Sequence, residues 1–201
     1  MPQTLDANFW QQRYDSGHTG WDRGGASPAL EQWLTAGALP SGSALVPGCG
    51  RGYEVERLAA AGYLVTAVDY VPAALDALAT RLQARGLTAN LVRADVLDWS
   101  PTSQFDVIYE QTCLCAIEPR RWPAYTAQLA RWLRPGGVLA ALFMQTGRDE
   151  GPPFHCELNT MRELFDAQTW IWPDTPPLQI PHPNGLFELG VMLKRSEQAV
   201  P

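Results

Sequence analysis

Between Ala44 and Asp69 an apolar run, Ala44-Leu45-Val46-Pro47, leads into Gly48-Cys49-Gly50-Arg51-Gly52 and a helical stretch. A second run, Val65-Thr66-Ala67-Val68, then closes on Asp69. This order predicts strand, tight turn, helix and strand, the unit that holds nucleotide-like cofactors at the edge of a parallel sheet. Glycines in the turn let backbone N–H groups approach a ligand closely. A carboxylate ending the second strand is placed to accept from both ribose hydroxyls. A tight turn in some other α/β protein is the alternative that this segment alone leaves open.

Spacing selects among cofactors. Dinucleotide-binding turns read G-x-G-x-x-G, with the last glycine packing the helix beneath a pyrophosphate. Here that position is Tyr53 and the pattern is G-x-G-x-G. No Gly-Lys-Ser/Thr follows, so the P-loop is excluded as well. An adenosine-containing cofactor without phosphate, S-adenosylmethionine, suits what remains. An NAD(P)-dependent oxidoreductase of the short-chain type would also need Tyr-x-x-x-Lys, yet the only lysine is Lys194 and Gly190 stands four residues before it.

Beyond Asp69 the α/β alternation continues. Tyr53 to Ala61 has Val55, Leu58 and Ala59 on one helical face with Gly62 as a stop, and Pro72 opens a helix bearing Leu75, Leu78 and Leu82 that ends at Gly86. Strands are predicted at Asn90 to Ala94 before Asp95, at Phe105 to Glu110, and at Val138 to Met144, the last after a helix marked by Tyr125, Leu129 and Leu133. Continuous apolar runs of this kind belong to strands covered on both faces. In the last third, Thr160 and Glu163 read as a capping box for a helix through Phe165. Thr169 to Trp172 and Glu188 to Lys194 read as two more strands, joined by a proline-rich connection from Pro173 to Gly185. The expected fold is therefore a single α/β domain over residues 1–201. Its core, residues 41–201, is a doubly wound, Rossmann-like, seven-stranded sheet of the methyltransferase type, mostly parallel and antiparallel at its end.

Residues 1–40 form a separate N-terminal cap in this reading, rich in aromatics (Phe9, Trp10, Tyr14, Trp21, Trp33) and in glycine (Gly17, Gly20, Gly24, Gly25). Core packing is one use for such aromatics. A lid is the other, since glycines make hinges and indoles cover a sulfonium by cation–π attraction. A formal charge of −6 argues against a nucleic-acid partner, and no apolar stretch reaches the length of a membrane span. The N-terminus lacks the basic and apolar regions of a signal peptide, so a cytoplasmic protein acting on a small molecule is expected. Oligomeric state is not legible, a monomer being the default. Cys49, Cys113, Cys115 and Cys156 form no C-x-x-C pair; small buried thiols are expected, with neither metal nor disulfide.

With these pieces in place the chain resembles the thiopurine S-methyltransferase family, and within it the halide/thiol methyltransferases. The resemblance rests on Trp10-x-x-x-Tyr14, Gly20-Trp21-Asp22-Arg23-Gly24, Val46-Pro47-Gly48-Cys49-Gly50 and Ala67-Val68-Asp69. It continues through Phe105 to Glu110, Cys115-Ala116-Ile117-Glu118-Pro119, Leu133 to Gly137 and Gly151-Pro152-Pro153-Phe154. It implies an S-adenosylmethionine-dependent methyltransferase acting on a thiol, hydrosulfide, thiocyanate or halide. Thiopurines, selenium or tellurium oxyanions, or a non-catalytic cofactor-binding role are the alternatives.

Position by position, the resemblance implies cofactor contacts at Trp10, Tyr14, Trp21, Gly48, Gly50, Asp69, Asp95, Val96 and Gln111. Tyr14 stands where tryptophan is usual, and Gln111 where relatives have tyrosine or arginine. Gly48 falls under the methionine part, Asp69 at the ribose, and Asp95 with Val96 beside the adenine. For Asp95 a turn cap is the competing role, and Asp98 is a nearby rival. Asp106 is expected to orient backbone, and Arg120 and Arg121 to form a solvated cluster with Glu118. Arg148 and His155, flanking the Gly151 to Phe154 loop, are the candidates for attracting an anionic acceptor, surface charge being the alternative.

Overall fold

The computed structural model describes residues 4–182 and 185–197. Residues 1–3 of the expected cap and residues 183 and 184 of the expected connection lie outside the described residues. The helices are α1 (Ala7–Asp15), α2 (Pro28–Thr35), α3 (Tyr53–Ala60), α4 (Pro72–Ala84), α5 (Trp122–Trp132) and α6 (Leu158–Leu164). The strands are β1 (Ser43–Pro47), β2 (Leu64–Asp69), β3 (Asn90–Arg93), β4 (Phe105–Gln111), β5 (Leu133–Gln145), β6 (Trp170–Ile171), β7 (Leu178–Pro181) and β8 (Phe187–Arg195).

The sheet runs β3-β2-β1-β4-β5-β8-β6, with β7 also paired to β8. The pairs from β3 to β5 are parallel and β8 lies antiparallel to β5. Because the chain winds from β1 out to β3 and then returns to β4 on the other side of β1, a crevice opens at the carboxyl ends of β1 and β4, where ligands of doubly wound sheets sit. Both faces are covered. One buries Val46, Val55, Leu58, Leu78, Tyr109 and Leu142 under α2, α3 and α4; the other buries Ile108, Tyr125, Leu129, Phe143 and Phe165 under α5 and α6. That double burial is why β4 and β5 read as unbroken apolar runs.

Among the described residues the sheet has eight strands where seven were expected. The proline-rich stretch holds β7, whose register pairs Leu178 with Gly190 and Pro181 with Phe187. Proline suits such a strand because an edge tolerates a missing N–H. The capping box also lies elsewhere than expected. Glu157 is the N-cap of α6 and its carboxylate accepts from the Thr160 N–H at 2.8 Å, so Thr160 sits inside the helix with its N–H served by the acid. A carboxylate meets the orphan N–H groups of a first turn as well as a hydroxyl does.

All four cysteines are free and buried. Asp106 accepts from the Ser43 N–H at 2.7 Å and its hydroxyl at 2.8 Å and pairs with Arg134 at 2.6 Å, tying the start of β4 to β1 and β5 as backbone support. No helix among the described residues is long and apolar enough to cross a membrane.

Candidate functional site

A cavity of about 360 Å³ lies over the carboxyl ends of β1, β2 and β4. Its floor is the glycine turn. Gly48 has a positive φ of 57°, and a Cβ there would lie 2.7 Å from Cys113 Sγ, so only glycine lets the turn close against the end of β4. Gly52 answers the question raised by Tyr53. A Cβ on Gly52 would meet Leu78 Cδ2 at 2.5 Å, so the close packing that dinucleotide folds assign to their third glycine occurs here one residue earlier, against α4.

Asp69 ends β2 with its carboxylate buried in the cavity wall. Oδ2 accepts from the Gly50 N–H at 2.8 Å and Oδ1 from the Val71 N–H at 2.9 Å. Burial pushes its pKa up against those hydrogen bonds. The Tyr70 N–H is a third donor to this carboxylate, whose two oxygens offer about four lone-pair sites, so some acceptor capacity remains. Asp95 caps its own turn by accepting from the Leu97 N–H at 2.9 Å, and it lines the cavity together with Val96. The capping role and the ligand-facing position therefore coexist, whereas Asp98 is exposed and outside the lining.

The N-terminal segment makes the roof. Trp10 and Tyr14 come from α1 and meet Trp21 edge to face, with ring centroids 5.3 and 5.7 Å apart. The Tyr14 phenol is pushed up by burial, and the Asp69 charge adds to it. Asp22 pairs with Arg51 of the glycine turn at 2.5 Å, joining roof to floor. Trp33 differs: it is buried beneath α2 against Tyr109 at 6.3 Å and belongs to the core. The aromatics of this segment thus divide between the cavity and the core.

One wall is polar. Gln111 is clamped at both ends, its Oε1 accepting from the Tyr109 hydroxyl at 2.9 Å and its Nε2 donating to Glu188 Oε2 at 3.0 Å. Glu188 is fully buried and receives Arg23 Nη2 at 2.7 Å. Glu54, in the first turn of α3, accepts from the Ser27 N–H at 3.0 Å, and burial pushes its carboxyl up to about 7. Of these, sequence reasoning named only Gln111. An acid inside the apolar run of β8 was the available signal for Glu188, since an unpaired charge is not tolerated there.

The opposite wall is apolar and small, made by Cys115, Ala116, Ile117, Met144, Pro152 and Pro153. The Phe154 N–H donates to the Cys115 carbonyl at 2.7 Å, which turns the two prolines inward. Arg148 and His155 are not brought to the cavity. Arg148 is exposed, and His155 Nδ1 accepts from the Thr146 and Gly147 N–H groups at 3.1 and 3.3 Å, which ties that nitrogen to the loop backbone. Glu118, Arg120 and Arg121 lie at the rim instead, with Arg120 and Glu118 paired at 2.6 Å on the surface.

A 3-2-1-4-5 parallel order, a glycine turn and a buried acid after β2 beneath an aromatic roof define an S-adenosylmethionine-dependent methyltransferase. Arg23 Nε, buried without a partner among the described residues, and the Asp69 carboxylate in the cavity wall fit such a cofactor. The thiopurine S-methyltransferase family model matches residues 5–172, and the chain belongs to that family. It is 32% identical over 168 residues to thiocyanate methyltransferase 1 of Brassica oleracea, covering 82% of this chain and 74% of the relative. It is 31% identical over 159 residues to a probable thiol methyltransferase 2 of Arabidopsis thaliana, covering 78% and 70%. In structure it is similar to the Burkholderia thailandensis 1,6-didemethyltoxoflavin-N1-methyltransferase with bound S-adenosylhomocysteine, with a TM-score of 0.77 at 22% identity over 96% of this chain and 88% of that one.

Proposed function

We propose that this enzyme methylates a small soft nucleophile, a thiol, hydrosulfide, thiocyanate or halide, by in-line displacement. The observation that supports it most is the apolar wall of Cys115, Ile117, Met144, Pro152 and Pro153, which offers a soft anion an apolar surface with no carboxylate or imidazole among these five side chains. The thiocyanate and thiol methyltransferase names of its relatives agree with that reading.

When bound, S-adenosylmethionine supplies a methyl carbon made electrophilic by a sulfonium. In this reading Asp69 accepts from the ribose hydroxyls, Asp95 and Val96 flank the adenine, and Trp10, Tyr14 and Trp21 cover the sulfonium and shut out water. Gly48 and Gly50 give close backbone approach, and Gln111 fixes the polar wall. A soft anion sheds hydration cheaply, so the apolar wall favours it over amine or carboxylate acceptors. A thiol with an ordinary pKa of about 8.5 is already partly ionised near neutrality, and a dedicated base is dispensable. Residues 1–40 act as the cap on a single domain whose core is residues 41–201. The four free thiols suit a reducing, cytoplasmic compartment.

The test is a methyl-transfer assay across iodide, bromide, thiocyanate, hydrosulfide, an aromatic thiol, a thiopurine and a primary amine, with volatile products measured. Turnover is expected with the soft anions, and thiol rates should rise with pH until the acceptor is ionised. Methylation confined to the amine would overturn the assignment, and turnover confined to the thiopurine would shift it to that acceptor.

A further inference from the structure

One cation in the polar wall has donors to spare. Arg23 stands between α1 and α2, its side chain is only 10% exposed, and it lines the cavity. Its Nη1 donates to the Pro181 carbonyl at 2.8 Å and its Nη2 to Glu188 at 2.7 Å, while Nε is buried and meets no partner among the described residues. A guanidinium has five N–H donors in a planar fork. An edge left unpaired in a buried wall is costly unless an acceptor fills it.

The position of Arg23 says which acceptor. Its own partner Glu188 also holds Gln111 at the end of β4, and Glu54 at the start of α3 is within its electrostatic reach, so the guanidinium stands between the start of α3 and the end of β4. The apolar wall that suits a methyl acceptor comes from the turn after β4, the loop after β5 and Met144 near the end of β5, whereas Glu54 belongs to the helix that follows the glycine turn. Of the cofactor's parts, only the amino-acid end carries a negative group. Two acids face Arg23. Glu188 is shared with Gln111, and burial pushes the Glu54 carboxyl up to about 7, so its charge is partial near neutral pH and repels an incoming carboxylate less.

We propose that Arg23 grips the carboxylate at the amino-acid end of the cofactor, and that this contact lets the roof segment distinguish S-adenosyl amino acids from adenosine thioethers lacking that group. The inference rests on the cofactor occupying this cavity. Arg23 is then a binding residue, oriented by Glu188 from β8 and by Pro181 from β7.

Calorimetry tests it with two probes, S-adenosylhomocysteine and its analogue lacking the carboxylate but keeping the amine. Wild-type protein should prefer the first by roughly 10- to 100-fold, the range for a charge-assisted pair. In Arg23→Met the preference should fall to within about threefold, with the analogue's affinity unchanged. Because Arg23→Met leaves Glu188 buried without its cation, Arg23→Met/Glu188→Gln serves as the second variant and should show the same loss. Equal binding of both probes by the wild type overturns the proposal whatever the variants do, as does an equal loss of both probes in the variants. A raised KM for thiocyanate with unchanged S-adenosylhomocysteine binding would give the guanidinium to the acceptor and overturn it too. Failure of both probes to bind the wild type would instead remove the cofactor from this cavity.

Discussion

Replacing Glu110 by glutamine should make the protein's stability less dependent on pH, and the size of the effect follows from the structure. Glu110 lies near the end of β4 and is 1% exposed. Its Oε1 accepts from the Leu114 N–H at 2.7 Å, and its Oε2 meets no partner among the described residues. Burial, with the Glu188 charge adding to it, pushes the carboxyl from 4.5 up to about 7. Since the folded pKa lies above the unfolded one, the native state keeps a proton that the unfolded chain releases. The resulting stability is complete below about pH 4.5 and is lost as pH rises through about 7. At about 1.36 kcal/mol per pH unit, that interval is worth about 3 kcal/mol. Glu110→Gln keeps an oxygen for Leu114 and carries no charge, so it should match the parent within about 1 kcal/mol at pH 5 and exceed it by about 3 kcal/mol at pH 9. Glu54 contributes the same slope to both proteins and cancels in the difference. Urea unfolding followed by tryptophan fluorescence from pH 5 to 9 measures it. A difference that stays flat across that range, or a variant that loses ground as pH rises, would refute the reasoning.

Gly48→Ala should cost about 1–3 kcal/mol in urea unfolding from the clash with Cys113, with about 1 kcal/mol more for the left-handed backbone, and it should abolish cofactor binding. Adding Cys113→Ala should recover part of the stability, and strict additivity would contradict the contact. Trp21→Ala should weaken S-adenosylmethionine binding roughly tenfold at little cost to folding, whereas Trp33→Ala should cost about 3–5 kcal/mol of stability. Hydrogen exchange over residues 4–30 should slow when S-adenosylhomocysteine is added, and equal protection in both states would make the whole segment core.

The cavity-lining positions named from the sequence were legible because their signals are local. A glycine turn between two apolar strands, an acid at each strand end and an aromatic pair four residues apart are spaced by the backbone itself. Gly48, Gly50, Asp69, Asp95, Val96, Trp10, Tyr14, Trp21 and Gln111 accordingly all line one cavity. Arg148 and His155 were misplaced because nearness in sequence to the Pro152–Pro153 loop does not say which way that loop turns. The Phe154 to Cys115 hydrogen bond decides it, and it spans two separate connections. The strand β7 was hidden by prolines that only an edge position makes acceptable.

Sequence alone determined the order of elements, the parallel core and the preference for a phosphate-free adenosine cofactor, since each depends on periodicity or spacing within a few tens of residues. Tertiary structure decided where the charges go. Arg23 meets Glu188 across 165 positions, and the carbonyl of Pro181 completes its seat. Neither arginine nor glutamate announces its partner in a linear chain. A buried charge becomes tolerable only when folding delivers its counterpart within hydrogen-bond reach, and that delivery depends on how α1, α2, β7 and β8 pack around one crevice.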